Sequence, residues 1–183
     1  TVKKIIANPL PFQELELLYQ EYSERKQNIP EGYQKDYLKR QVMLGFMIFQ
    51  ATHSGELMKL EKIHINLDNG SVYIPGSKRS NGRTLKLDSR QIIALHRYII
   101  DMPTHSVYLF DKSGRYAANY LTNEVKGLNP VIQNAGHIRG SVILHWTKIF
   151  NKRQVQYMIG HRHISSTERY EVQELDSLID SLG

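Results

Sequence analysis

The chain of 183 residues contains no cysteine. Disulfide staples, thiolate nucleophiles and cysteine-ligated zinc are therefore excluded, and the composition suits a reducing compartment. Long apolar runs are missing too. The longest, VMLGFMIFQA over residues 42–51, is interrupted by Gln50 and falls well short of the ~20 residues a membrane span needs. It reads as a buried helix, and no membrane partner is expected. Internal repeats, low-complexity segments and Pro/Gly/Ser-rich linkers are absent, so the chain reads as one domain on the prior of ~100–200 residues per domain. There is no Walker-type glycine loop, no HExxH and no clustered carboxylate set, and His64, His96 and His105 have no metal-like partners. Neither a metal nor any other cofactor is expected. Residues 1–12, TVKKIIANPLPF, lack an apolar signal core and begin without Met, which reads as a piece of a longer protein.

What the chain has in excess is positive charge, with 24 Lys and Arg against 18 Asp and Glu, or +6. That total alone fits a solvated surface as well as a polyanion partner. Its distribution is more telling. Residues 76–90 hold Lys78, Arg79, Arg83, Lys86 and Arg90 against Asp88 alone, and residues 134–170 hold Arg139, Lys148, Lys152, Arg153, Arg162 and Arg169 against Glu168 alone. After Tyr170 come four acids and no base, so the first 170 residues carry 24 basic against 14 acidic groups, +10. Two such basic segments suggest a polyanion partner, with nucleic acid one of the options that composition leaves open.

Apolar spacing predicts a mainly α chain with one small three-stranded antiparallel sheet, an α+β class. Pro11 opens an amphipathic helix over residues 11–27, with Phe12, Leu15, Leu18, Tyr19 and Tyr22 on one face. A more apolar helix is expected over 34–50 and a short one over 54–60, with Ser54 as its N-cap. KIHINL (62–67), the turn Asp68-Asn69-Gly70 and SVYIP (71–75) form a strong hairpin signal, and RTLKL (83–87) adds a third strand. Asp88 caps a helix through Ile100, and VYLF (107–110) is either a short strand or a buried turn. Helices follow over 116–133, 138–149, 153–159 and 172–182.

Residues 137–170, HIRGSVILHWTKIFNKRQVQYMIGHRHISSTERY, carry the chemistry. Arg139 stands near a helix start, Gly160-His161 ends the next helix 22 residues later, and Tyr170 follows a Ser-Ser-Thr turn nine residues further on. A tyrosine hydroxyl with a pKa near ~10 is a poor nucleophile at neutral pH and needs a base and nearby cations. An arginine fork matches two phosphate oxygens, and a histidine moves a proton or hydrogen-bonds a non-bridging oxygen. Gathered on one phosphate, the three make a metal-free phosphoryl-transfer site. By spacing alone the signal is weak and an interfacial Tyr170 with a helix-terminal His161 is the favoured reading, since the chain has 11 tyrosines.

The order and context resemble the C-terminal catalytic motif of tyrosine recombinases of the phage-integrase type, in which Arg starts a helix, Gly-His follows, and a Thr-rich turn leads to the nucleophilic Tyr. GHRHISSTERY matches the last part nearly residue for residue, and IRGSVILHW with SSTERY is most similar to integrases of Bacteroidetes mobile elements of the conjugative-transposon type. The resemblance covers essentially the whole chain. It implies the tyrosine recombinase catalytic-domain fold over residues 1–183, with a core-binding domain preceding it. Tyr170 would be the nucleophile, Arg139 the second catalytic arginine, His161 the later histidine, and Lys78 in GSKRSNGRTLKL the loop lysine that protonates the leaving 5′ oxygen. Lys86 is a weaker candidate for that lysine.

The resemblance also implies site-specific DNA recombination through a 3′-phosphotyrosine intermediate, serving integration or excision without ATP or metal. Double-stranded DNA would be the partner, contacted by Arg79, Arg83, Lys86, Lys148, Lys152, Arg153, Arg162 and His163. A chain monomeric alone would form a homo-tetramer on synapsed DNA, helped by DNA-bending or directionality proteins, in the bacterial cytoplasm at the nucleoid. Residues 171–183 would form a helix docking in cis or in trans through Leu175, Leu178, Ile179 and Leu182.

Two departures stand out. In QATHSGELMKLE, which resembles the family box where Gly-Leu-Arg precedes a Glu by three residues, counting back from Glu56 puts His53 where the first catalytic Arg belongs. The family's first His, three residues before the second Arg, is Gly136 here; His137 comes one residue late, about 100° around a helix. Three readings follow. The domain binds DNA but is catalytically degenerate; or another arginine, Arg40, Arg79 or Arg83, takes the vacant role; or His53 and His137 suffice. From another class, a helical protein-interaction module would use the basic faces for acidic partners. Trp146 reads as core, and His145 as a phosphate contact or plain surface.

Overall fold

The computed structural model describes residues 6–183. Its centre is α2 (Gln34–Phe49), in which every residue from Gln41 to Ile48 is buried. A helix apolar on all sides must be covered on all sides, and α1 (Phe12–Arg25), α4 (Ser89–Ile100), α5 (Gly114–Leu128) and α6 (Ala135–Ile149) do this. The predicted stripe of α1 delivers Leu15, Leu18, Tyr19 and Tyr22 to that core.

After the short α3 (Ser54–Leu57) comes an antiparallel sheet of β1 (Ile65–Asn66), β2 (Ser71–Ile74) and β3 (Arg83–Lys86), in the order β1-β2-β3. Gly70 supplies the left-handed turn at φ 64, and Val72 stands opposite Leu85 on the inner face. Helix α7 (Lys152–Ile159) rests on β3, and α8 (Ile164–Leu182) lies across α6 and α7. Among the described residues no helix is long and apolar enough to cross a membrane.

Several expected boundaries move, each for a local reason. The N-cap of α3 is His53, not Ser54, because the imidazole Nδ1 accepts the Glu56 N–H at 3.3 Å while the Glu56 carboxylate accepts the His53 N–H at 3.2 Å. That helix also stops at Leu57. The run KIHINL keeps only Ile65 and Asn66 as strand, since Lys62–His64 is a 3₁₀ turn held by the Glu61 N–H on His64 Nδ1. VYLF is neither a strand nor a buried turn: Val107 and Tyr108 are exposed, Leu109 and Phe110 are buried, and Tyr108 carries a single bridge to Glu61. Helix α5 ends at Leu128 rather than 133, because Pro130 pushes Asn129 to φ −138, ψ 100. The largest change is in α8. Ser165, Ser166 and Thr167 are its first turn, not a loop, so Tyr170 sits inside a helix of 19 residues.

Candidate active site

The site is built around a carboxylate with no exposure to solvent. Glu56 points inward from α3 and accepts two hydrogen bonds from the Arg83 guanidinium, at 2.5 Å and 3.1 Å, and one from Ser80 Oγ at 3.2 Å. Arg139 Nη1 lies 3.6 Å from its other oxygen, and His53 Nε2 is 3.6 Å away. Burial pushes the carboxyl up, but the hydrogen bonds and charge of Arg83, with Arg139 behind them, hold it below the ordinary carboxylate value. Arg83 reaches this position by strand alternation. It shares the inner face of β3 with Leu85, while Thr84 and Lys86 point out, and its Nε donates to Met158 O at 2.8 Å.

Arg139 enters from the first turns of α6, whose N-cap Asn134 accepts the His137 N–H at 2.9 Å. Its side chain keeps 16% exposure, against 0% for Arg83. His161 follows Gly160, which ends α7 in the left-handed region at φ 79; any Cβ there would stand 2.6 Å from the Asn81 carbonyl. The β2–β3 loop is tied to this turn by the Asn81 N–H on Gly160 O at 2.8 Å and by a bridge from Ser80 to His161. His161 Nδ1 lies 3.0 Å from Thr167 Oγ1. Burial, then the charges of Arg139 and Arg83, lower its pKa to about 4, so the ring is neutral at pH 7. The Tyr170 ring stacks on it at 6.1 Å. Burial raises the Tyr170 hydroxyl above its ordinary value, and Arg139 pulls it back.

A half-buried tyrosine, a neutral histidine and an arginine thus come together beside a surplus positive charge, two guanidinium groups facing one carboxylate. Residues 8–175 match the model of the phage integrase family. The chain belongs to the phage integrase family. No curated protein matches it. Among solved structures it is similar to XerH site-specific recombinase bound to palindromic difH substrate in a post-cleavage complex (TM-score 0.77, 18% identity, 98% of this chain and 53% of that one). It is also similar to XerA recombinase (0.69, 15%, 90% and 60%). A third is the Tn1549 transposon integrase in complex with transposon right end DNA (0.64, 16%, 100% and 67%). At these identities the likeness concerns the fold. The chain spans about half to two thirds of the length of these proteins.

Within this integrase-family fold, Arg139, His161 and Tyr170 converge, and His53 and Glu56 join them. Burial and the nearby Arg139 and Arg83 lower the His53 pKa despite Glu56, and an imidazole lacks an arginine's permanent charge. His137 does not join. It is buried, with Nδ1 accepting the Gln133 N–H at 3.2 Å and Nε2 bonded to Asn8 O at 2.8 Å. Of the arginines considered for the vacant role, Arg40 is committed to Glu124 at 2.8 Å and 3.1 Å, and Arg79 is exposed on the loop. Arg83 is the one at Glu56, and its full burial removes it from the expected surface contacts.

Lys78 and Arg79 are exposed in the loop between β2 and β3, and Lys86 is exposed on β3. Arg162 donates to Ser77 O at 2.8 Å, Arg153 is exposed on α7, and His163 is exposed at the N-cap of α8. Lys148 and Lys152 keep solvent-facing surface and pair with carboxylates of α8: Lys148 with Glu174 at 3.2 Å, Lys152 with Glu168 at 3.1 Å and Glu171 at 3.5 Å. The acidic tail folds back onto them. Ser80 and Thr167 were not singled out from the sequence, since short hydroxyls in a loop and a helix start carry no pattern of their own.

Proposed function

We propose that this chain is the catalytic domain of a site-specific recombinase that cuts and rejoins duplex DNA through a 3′-phosphotyrosine. The observation that carries the reading is the meeting of Tyr170, His161 and Arg139 beside a surplus of positive charge. Tyr170 Oη attacks phosphorus and the 5′ oxygen leaves, to attack a partner strand's phosphotyrosine later; bond energy is conserved, so no nucleotide is consumed. Arg139 holds the phosphate oxygens, neutral His161 accepts a proton or donates to an oxygen, and Lys78 on its exposed loop protonates the leaving group. Arg83 supplies the charge of the missing first arginine from behind, through Glu56 and Arg139, without touching phosphate. His53 offers one further hydrogen-bonding group.

In this reading the exposed cations Arg79, Lys86, Arg153, Arg162 and His163 contact the DNA backbone, and affinity falls steeply with salt. A core-binding domain precedes the chain, a homo-tetramer assembles on synapsed DNA with bending or directionality proteins, and the setting is a bacterial mobile element of the Bacteroidetes type, in the cytoplasm at the nucleoid. The stripe Leu175, Leu178, Ile179 and Leu182, exposed here, docks on a neighbouring protomer. A second reading, a degenerate DNA-binding domain, draws on the burial of Arg83, which leaves one guanidinium with a solvent-facing surface.

A duplex from the element's own ends, nicked beside the cleavage position, separates the two when mixed with the full-length protein. The expected result is a covalent adduct that is absent in Tyr170→Phe and slower by about 10²–10³ in Arg139→Ala. Salt-sensitive binding without adduct favours the degenerate domain, and no binding at low salt favours a protein-interaction module.

A further inference from the structure

Residues 6–10 form a strap pinned to both helices that carry the site. At one end Gln173, a buried residue of α8, grips the main chain of Ile6 twice: the Ile6 N–H donates to Oε1 at 3.0 Å, and Nε2 donates to Ile6 O at 2.6 Å. Along α6, His137 Nε2 bonds Asn8 O at 2.8 Å and Ser141 Oγ accepts the Leu10 N–H at 3.0 Å. Between them Gly140 leaves room for the strap, since a Cβ there would stand 2.1 Å from Ile6 Cδ1. Asn8 bends the strap in the left-handed region, at φ 49. Arg139 therefore lies on a helix held on one side by the strap and on the other by Glu56.

The spacing on α8 is the second observation. Its two buried residues are Thr167 and Gln173; Thr167 holds His161 and Gln173 holds the strap. Tyr170 stands midway, three residues from each, on the same side of the helix. Beyond Gln173 the apolar residues of α8 are exposed, so this grip is the last tie of the helix to the core through a buried side chain.

We propose that Gln173 is a positioning residue for Tyr170, and that the strap is its anchor. Together with Thr167 it fixes α8 at two points that bracket the nucleophile and sets the hydroxyl in register with Arg139 and His161. The inference rests on the reading of Tyr170 as nucleophile. Its test is the single-turnover rate of adduct formation at saturating nicked duplex, beside the Kd for that duplex, in the full-length protein. Gln173→Met is expected to slow the adduct by about ten- to a hundredfold, the scale of a small misplacement of a reacting group, with Kd held within about twofold. Hydrogen exchange at the Ile6 amide, whose acceptor is Gln173, should speed up.

Gln173→Glu keeps that acceptor and retains more of the rate. Gly140→Val lifts the strap without altering α8 and produces a similar loss, and the double variant is no slower than the slower single one, because both break the same device. An unchanged or faster adduct rate with a freed Ile6 amide overturns the proposal, as does a rate loss accompanied by an equal loss of affinity. An adduct formed by Tyr170→Phe removes the nucleophile reading itself, and this inference with it.

Discussion

Two of this protein's arginine–glutamate pairs, Arg40–Glu124 and Arg83–Glu56, are each held by two hydrogen bonds, yet they differ in what surrounds them. Arg40 and Glu124 join α2 to α5 with two hydrogen bonds, at 2.8 Å and 3.1 Å, and tyrosines close around them. The Tyr22 hydroxyl donates to Glu124 at 2.5 Å, and the guanidinium lies 4.6 Å over the Tyr120 ring. Burial and then Glu124 push the Tyr22 hydroxyl far above its ordinary value, so it stays a donor. Charge is balanced there. Arg83 and Glu56 also make a bidentate contact, through both Nη atoms, with no solvent exposure on either side chain, but a second guanidinium, Arg139, shares the carboxylate. One pair is a staple; the other anchors a surplus positive charge beside a tyrosine. The lesson is that pair geometry does not separate structure from function, whereas the balance of charge around the pair does.

Removing the carboxylates breaks the comparison most severely. Glu56→Gln leaves the Arg83 charge buried and uncompensated and is expected to cost about 3–5 kcal/mol of unfolding free energy. Glu124→Gln, with Arg40 at 14% exposure, should cost about 1–2 kcal/mol. Denaturant titrations of the two variants measure both, and equal losses would erase the distinction. On the arginine side, Arg83→Met should slow adduct formation by about 10²-fold, as for loss of one preorganised charge, while Arg40→Met leaves the adduct rate of folded protein unchanged.

The smallest effect is in pH. The His161 pKa is about 4 in the folded chain against 6.5 for the free side chain. A group depressed on folding binds fewer protons in the native state, so its contribution is complete above about pH 6.5 and is lost as pH falls toward about 4. Unfolding free energy measured from pH 7 to 4.5 should decline more steeply in the parent chain than in His161→Gln. Arg40 adds no such slope, because Glu124 and Tyr22 hold it charged against its burial.

Much of the fold can be read from one sequence because its signals are local. The stripe of α1, the turn at Gly70 and the Asp88 cap each depend on neighbours a few residues away, and each stands as expected. The misjudged segments are those where a local signal was misweighed or overridden. Pro130 marked the end of α5, and the alternation in RTLKL already put Arg83 on the same face as Leu85, although its charge argued for the surface. For α8, Ser-Ser-Thr reads as a turn, yet the burial of Thr167 against His161 draws it into the helix.

By itself the sequence determined the order Arg139, His161, Tyr170 and their family setting, because motif spacing is a property of the chain. It also carried the excess of basic charge before Tyr170. Only the tertiary structure decided which cation meets Glu56, where Lys148 and Lys152 spend their charge, and that His137 belongs to a strap 129 residues away along the chain. Such choices rest on contacts between distant segments. A buried charge takes whichever partner the packing brings within about 3–4 Å, and spacing along one chain does not encode that distance.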